Sequence, residues 1–225
     1  MSYNIMDSVI PQLLPLEFNS EKKRKTVLEN VIKMLTNRKL LNASDLEKNI
    51  KKILSIDSDD LLYTIQLDHP EIYYPQSNDT KIMYIKLLPQ KITGISKSSN
   101  MGEFILSHKN NPKIIIVNSI TATARDNVYN DFLYSEVFLE ENLMINAVDH
   151  ISVPKHELLS EEDSKKVLDE YLVKKRNMPK IYDSDAMSRY FNAKIGQIFR
   201  ITRPSETSGL APYHRLVTKG NVMSA

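Results

Sequence analysis

The 225-residue sequence contains no cysteine, and this absence removes several kinds of chemistry together. Disulfide bonds, thiol nucleophiles and cysteine-ligated zinc are all excluded. The five histidines do not show the paired spacing that a metal site on a helix requires. We therefore expect neither a metal nor any other cofactor.

Long apolar runs are also missing, since no stretch approaches the ~20 apolar residues of a membrane helix. Residues 1–7 lack the basic region and apolar core of a signal peptide, so we expect an intracellular protein without a membrane partner. The net charge is only +2, and any contact with nucleic acid must come from a local patch. Tryptophan is absent and Asn, Ile and Lys are abundant, a bias typical of AT-rich genomes such as those of large DNA viruses.

Apolar spacing and turn residues predict an α+β fold with a boundary near residue 146. In residues 1–145 we expect helices around a small mixed sheet, because a strand, a helix and an apolar strand follow one another as in an α/β crossover. The expected helices span residues 21–41, 44–54, 101–108 and 121–129. The expected strands span residues 61–67, 82–88, 113–117, 134–139 and 143–148.

Residues 146–225 are predicted to form a compact second domain of the α+β class. Ser160 and the acidic residues after it form a capping box, which predicts a helix that Pro179 stops. Its expected apolar stripe is Val167, Leu168, Tyr171 and Leu172. Further predicted elements are a short helix capped by Asp183 or Ser184, a strand over 197–202, a pairing strand over 213–217 and a loose tail over 218–225.

Two short runs carry most of the functional information: residues 153–156 (Val-Pro-Lys-His) and residues 203–209 (Arg-Pro-Ser-Glu-Thr-Ser-Gly). The second run, with His214, contains hydroxyls and a histidine, but it lacks the strand–elbow–helix form of a hydrolase nucleophile. It is either a polar hairpin loop or a docking surface that offers charge-assisted hydrogen bonds of fixed geometry.

The two runs, in this order and fifty residues apart, resemble the C-terminal assembly domain of subunit 5 of eukaryotic-type DNA-directed RNA polymerases. That family also has archaeal members. The resemblance implies a non-catalytic chain that binds the largest subunit and other polymerase subunits, while catalysis belongs to the two largest subunits. The partner-binding residues that it implies are Val153, Pro154, Lys155, His156, Arg203, Pro204, Ser205, Glu206, Thr207, Ser208, Gly209 and Arg215.

The N-terminal part resembles the family's jaw domain more loosely, mainly at residues 25–28 and 34–38, without the tryptophan common before this helix. Residues 121–124 stand where the family has a Thr-Pro turn that faces downstream duplex DNA, with Ala122 in place of the proline. The implied phosphate contacts are Lys113, Thr121, Ala122 and Arg125. An ordinary strand-to-helix connection remains the alternative. The basic run 22–25 could be an import signal or a phosphate contact, but solvated first turns of a helix are favoured.

Two other classes of function stay open. A nuclease would need converging carboxylates, and Asp57, Asp59, Asp60 and Glu71 flank the first strand, but no Glu-x-Lys follows on the next strand. An adaptor would keep the docking domain and use the N-terminal part to recruit other factors. For a polymerase subunit we expect the nucleus in a cell, or the virion and host cytoplasm for a virus, which composition and the divergent N-terminal part favour.

The resemblance generates one prediction at the loop. Glu206→Lys reverses a charge in the predicted docking run, so it should block assembly with the largest subunit and leave the isolated fold intact. Co-purification of the variant with that subunit measures the effect. Recovery equal to that of the original chain would contradict the placement of the interface.

Overall fold

The computed structural model describes residues 19–56, 58, 60–74, 81–96, 99–132, 134–205 and 209–220, and it confirms an α+β fold. The helices are α1 (Ser20–Asn37), α2 (Leu46–Leu54), α3 (Asn100–Ser107), α4 (Ala122–Asp131), α5 (Glu140–Leu143), α6 (Glu161–Glu170) and α7 (Ala186–Tyr190). The strands are β1 (Leu62–Gln66), β2 (Ile82–Ile92), β3 (Lys113–Ile120), β4 (Ser135–Leu139), β5 (Lys155–Leu158), β6 (Lys180–Tyr182), β7 (Ile198–Ser205) and β8 (Gly209–Thr218). Short 3-10 turns occupy Ala43–Asp45, Pro70–Ile72, Ala147–Asp149 and Lys175–Asn177.

The first sheet has the strand order β1-β2-β3-β4. Strand β1 is antiparallel to β2, whereas β2, β3 and β4 are parallel to one another. Helices α3 and α4 make the two crossovers that parallel neighbours require, which confirms the predicted α/β order. The central strand β3 is buried on both faces: Ile114 and Ile116 pack in the same core cluster as α1, and Ile115 and Val117 pack with α3 and α4.

The second sheet has the order β5-β7-β8-β6. Strands β7 and β8 form an antiparallel hairpin, β5 pairs antiparallel with β7, and β6 pairs parallel with β8. One face of this sheet, with Phe199 and Val217, belongs to the same buried cluster as α1. The other face, with Ile198 and Leu216, packs in the cluster that contains Val167 of α6. The two sheets therefore share one hydrophobic core.

Side-chain caps fix the starts of three of the predicted helices. The hydroxyls of Ser99, Thr121 and Ser160 each accept a hydrogen bond from a backbone N–H in the first turn of α3, α4 and α6. Gly102 in α3 approaches the chain before it so closely that a Cβ there would lie 2.0 Å from the carbonyl oxygen of Ser96.

In the described ranges no helix combines the length and the apolar composition of a membrane span.

The strand predicted over residues 143–148 is wrong. Leu143 ends helix α5, and the 3-10 turn Ala147–Asp149 follows. A short apolar run has no periodicity that separates strand from helix, and local side-chain bonds decide here. The Asn146 amide donates to the carboxylate of Asp149 at 2.9 Å, and Asn30 of α1 donates to the carbonyl oxygen of Leu143 at 2.8 Å.

Several predicted boundaries and caps also need correction. Helix α6 ends at Glu170, well before Pro179, because Leu172 adopts a left-handed backbone conformation with φ of 51°. Tyr171 and Leu172 are consequently 52% and 92% exposed and do not extend the apolar stripe. The first helix stops at Asn37, α2 begins only after the turn Ala43–Asp45, and Asp185 rather than Asp183 or Ser184 caps α7. The short strands β5 and β6 were not predicted.

Candidate functional site

The structure brings the two sequence motifs together at one edge of the second sheet. Val153 and Pro154 lead into the edge strand β5, which begins with Lys155 and His156. Lys155 pairs with Thr202 of β7, directly beside Arg203 of the second motif. The His156 ring lies edge-on to Phe199 with 5.9 Å between centroids, and its Nδ1 donates to the carbonyl oxygen of Pro154 at 2.7 Å.

The second motif forms the outer part of the hairpin. Arg203, Pro204 and Ser205 end strand β7, and Gly209 starts β8 with a positive φ of 72° that suits glycine. Arg203 pairs with Ala211, and Ser205 pairs with Gly209. The predicted contacts Glu206, Thr207 and Ser208 lie outside the described residues.

A stack of two arginines on one tyrosine distinguishes this hairpin, and the sequence patterns did not point to its central member. The guanidinium carbon of Arg203 lies 4.6 Å from the centre of the Tyr213 ring, and that of Arg215 lies 5.4 Å away. Both distances allow cation–π attraction. Neither arginine is ion-paired with a carboxylate in the described part of the chain. The alternation of side chains in β8, which puts residues 213 and 215 on one face, was the available signal.

The opposite face of the hairpin carries a different set of groups. Arg200 lies 3.8 Å from the carboxylate of Glu157, and the ring of His214 lies 5.6 Å from that of Tyr171. Burial lowers the pKa of His214, and the neighbouring Arg200 lowers it further. Ser205 lies on the other face and about five strand positions from His214, or ~16 Å, so the two do not form a nucleophile–base pair.

Three of the four predicted DNA contacts lie together at the start of α4. The Thr121 hydroxyl donates to the carbonyl oxygen of Thr93 at 3.1 Å and accepts from the backbone N–H of Ala124 at 3.3 Å. Ala122 is exposed in the first turn, and Arg125 is half-buried one turn further on. These three residues therefore stand at one helix end, directly after the apolar strand β3.

Lys113 does not fit the prediction of a phosphate contact. It lies at the opposite end of β3, ~23 Å along the strand from Ile120, and only 1% of the residue is exposed. Burial lowers its pKa to about 8. Because the sheet encloses Lys113, its ammonium does not reach the surface, where a phosphate contact would have to be made.

The remaining charged candidates have local partners or stay dispersed. The basic run 22–25 lies on the first turns of α1, where Lys25 pairs with Glu21 at 2.7 Å. Asp60 lies 3.7 Å from the buried Lys86, while Asp57 and Asp59 lie outside the described residues. Among the side chains that the structure describes, no group of three His, Asp or Glu could hold a metal ion.

A buried polar network joins the two halves of the chain, and no sequence signal pointed to it. The Arg38 guanidinium donates to both carboxylate oxygens of Glu136, at 2.9 and 2.8 Å. Its Nε donates to the carbonyl oxygen of Tyr190 at 2.6 Å, and the Asn192 amide donates to Glu136 at 3.0 Å. Burial opposes the charge on Arg38, but Glu136 outweighs it and raises the pKa of Arg38. Burial and Glu136 together raise the pKa of Tyr74.

The comparisons with known proteins agree on one class, the subunits of DNA-directed RNA polymerases. Residues 145–217 match the family described as RNA polymerase Rpb5, C-terminal domain. The chain is 28% identical over 215 residues to DNA-directed RNA polymerase subunit 5 of Acanthamoeba polyphaga mimivirus, covering 91% of this chain and 97% of that protein. It is 50% identical over 70 residues to subunit Rpo5 of Methanosarcina acetivorans, covering 31% of this chain and 90% of that protein.

A eukaryotic relative extends the same agreement. The chain is 29% identical over 152 residues to the Caenorhabditis elegans subunit RPABC1 of RNA polymerases I, II and III, covering 67% of this chain and 66% of that protein. Within the class of polymerase subunits, the chain belongs to the RNA polymerase subunit 5 (Rpb5) family. The resemblance expected from the sequence is confirmed.

The buried ion pair gives a prediction about stability. Arg38→Met leaves the Glu136 carboxylate buried without its cation, so we expect the free energy of unfolding to fall by about 3–5 kcal/mol. The double variant Arg38→Met/Glu136→Met should lose less than the sum of the two single variants. Urea unfolding measures these differences. The exposed ion pair of Lys25 and Glu21 is the control, and Lys25→Met should lower the free energy of unfolding by less than about 1 kcal/mol. An equally small loss for Arg38→Met would contradict the importance of the buried pair.

Lys113 gives a prediction about pH. Its folded-state pKa of about 8 lies below the ordinary value of 10.5, so the folded state disfavours the charged form. That penalty is fully present below pH 8 and is relieved as the pH rises toward 10.5. The stability of the original chain minus that of Lys113→Met should therefore rise over this interval, by about 1–3 kcal/mol. Urea unfolding at stepped pH measures the difference, and a flat difference would show that burial does not penalise the charged form.

Proposed function

We propose that this chain is a non-catalytic subunit of a multisubunit DNA-directed RNA polymerase. Residues 146–225 would form the assembly domain that docks on the largest subunit, and residues 1–145 would form part of the jaw that contacts downstream duplex DNA. The observation that carries the proposal is the meeting of the two family motifs at one sheet edge, through the pairing of Lys155 with Thr202 beside Arg203.

The surface around this pairing suits docking. Lys155 and Arg203 are exposed, and His156 is half-buried with its ring fixed against Phe199. Strand β5 ends the sheet, so the motif residues lie at an edge that a partner can reach. Fixed cationic donors of this kind give directional, charge-assisted contacts to a partner's carboxylates.

The jaw contact would come from the start of α4. Backbone N–H groups in the first turn of a helix and the positive end of its dipole attract phosphate. Arg125 adds a cation one turn further on, and the small side chain of Ala122 allows a close approach. Contacts of this kind position a duplex without reading its sequence. Lys113 takes no part, because it is buried.

The relatives come from a giant virus, an archaeon and a eukaryote, and their names place all of them in DNA-directed RNA polymerases. For this chain the corresponding location would be the nucleus in a eukaryotic cell, or the virion and host cytoplasm for a virus. Nucleotide addition would belong to the two largest subunits.

Affinity purification of the tagged chain from its native source, followed by mass spectrometry, tests assembly. We expect the two largest polymerase subunits in near-equal amounts with the chain. Recovery of the chain alone, or with unrelated proteins, would contradict the proposal and favour the adaptor.

The jaw contact has a separate test in the assembled polymerase. Arg125→Gln should weaken retention of downstream duplex DNA and reduce the slope of log affinity against log salt by about 1. Lys48→Gln, at an exposed position of α2, is the matched control and should leave the slope unchanged. An unchanged slope for Arg125→Gln would remove this residue from the DNA interface.

A further inference from the structure

We propose that Arg203 and Arg215, at the projecting end of the hairpin β7–β8, bind carboxylates of the partner polymerase subunit. The contact would be made by side chains on one face of the hairpin rather than by addition of a strand to its edge. The inference rests on the proposed function and specifies the chemistry of its docking site.

The hairpin extends beyond the rest of the second sheet. The pairing of β5 with β7 reaches Thr202 and goes no further toward the hairpin end, and β6 pairs with β8 only from Leu216 onward. Residues 203–205 and 209–215 are therefore flanked by no other described strand. They present two faces and two edges to a partner.

One face of this ribbon is cationic. In an antiparallel pair, opposite residues share a face and neighbours along a strand alternate. Arg203, Tyr213 and Arg215 accordingly share the face that continues into buried Phe199, whereas Arg200 and His214 share the other. On the first face, none of the described residues of β5, β7 and β8 is acidic.

The tyrosine holds two like charges near each other. Both guanidiniums lie against one ring, at 4.6 and 5.4 Å from its centre, and Arg215 also donates to the carbonyl oxygen of Lys180 at 3.4 Å. Stacking restricts the arginine rotamers, so less conformational entropy is lost when an anion binds. A carboxylate bound to either guanidinium accepts charge-assisted hydrogen bonds and offsets the repulsion between the two like charges. A carboxylate has the matching planar geometry.

The edges of the ribbon oppose strand addition. The N–H of Val217 donates to Gln197 of β7, and that of Leu216 donates to Pro179 on the other side. Backbone N–H groups alternate between the two sides of a strand, so that of residue 212 would point toward the outer edge of β8. Pro212 has no N–H to donate there. On β7, Leu159 donates to Ile198, so position 204 also faces outward, and Pro204 likewise has no N–H. A proline at each outer edge interrupts the donors that an added strand needs.

A protein carboxylate is favoured over a DNA phosphate by position. The stack lies in the sheet whose edge carries the other family motif, whereas the candidate phosphate contacts lie at the start of α4, at one end of the first sheet. The stacked face thus belongs to the docking side of the chain.

Competition for incorporation into the polymerase tests the inference. A tagged variant and a differently tagged original chain are expressed together, and their ratio is measured in the purified polymerase. Arg203→Gln and Arg215→Gln should each reduce incorporation about tenfold, the effect of losing a charge-assisted hydrogen bond of moderate strength. Arg200→Gln removes an equal charge from the opposite face, and Pro212→Val restores an edge donor; both should incorporate within about twofold of the original chain. Thermal melts of the free variants check that each one folds.

The outcomes separate the inference from the proposed function. If the original chain does not enter a polymerase, the proposed function fails. If it enters and the two stack variants incorporate as well as Arg200→Gln, the proposed function stands and the inference is wrong. Normal incorporation with a loss of downstream DNA at raised salt would assign the stack to phosphate and would also overturn the inference.

Discussion

The ion pair between Arg38 and Glu136 constrains the whole arrangement. Removing two charges from water costs roughly several kcal/mol for each ion, so such a pair is stable only when its other hydrogen-bonding groups are satisfied. Here the partners come from distant parts of the chain: Arg38 is the C-cap of α1, Glu136 lies in β4, and Tyr190 ends α7, with Asn192 two residues further on. Any displacement between these elements leaves a buried charge without a partner, and the geometry of the network therefore holds the two halves in one register.

That register links the β5 edge of the second sheet to the start of α4. Ile114 and Ile116 of β3 lie in the same buried cluster as Phe199 of β7, so the strand that leads to α4 and the strand that carries the docking motif pack in one core. Close packing transmits displacement rather than absorbing it. Under the proposed function, a partner bound at the hairpin would therefore also constrain the start of α4, where Thr121 and Arg125 lie. The chain forms two separate sheets, as a division into two domains predicts, but the two sheets share one continuous hydrophobic core.

The sequence predicted what local rules govern and missed what depends on distant partners. The helix α6 follows from its Ser160 cap, and the central strands follow from their apolar runs. The ion pair could not be predicted, because a helix-terminal Arg38 and a strand Glu136 both look like surface residues until the chain folds around them. The phosphate contact predicted for Lys113 was wrong for the same reason, because its burial appears only in the folded chain. The two motifs were found through family resemblance, since their chemistry alone left a plain hairpin loop as an alternative.

The prolines of the hairpin have a role in the paired strands that the sequence pattern did not show. Proline is usually explained by the turn that it makes, but Pro204 and Pro212 lie within paired strands, opposite Leu210 and Thr202. Within a strand, a proline removes one donor, and it does so harmlessly only where the backbone faces outward. Both prolines satisfy that condition. A two-stranded ribbon that projects from its sheet would otherwise expose two edges that can pair with an added strand. Because the two prolines interrupt those edges, the faces of the ribbon are left for the proposed contact with a partner.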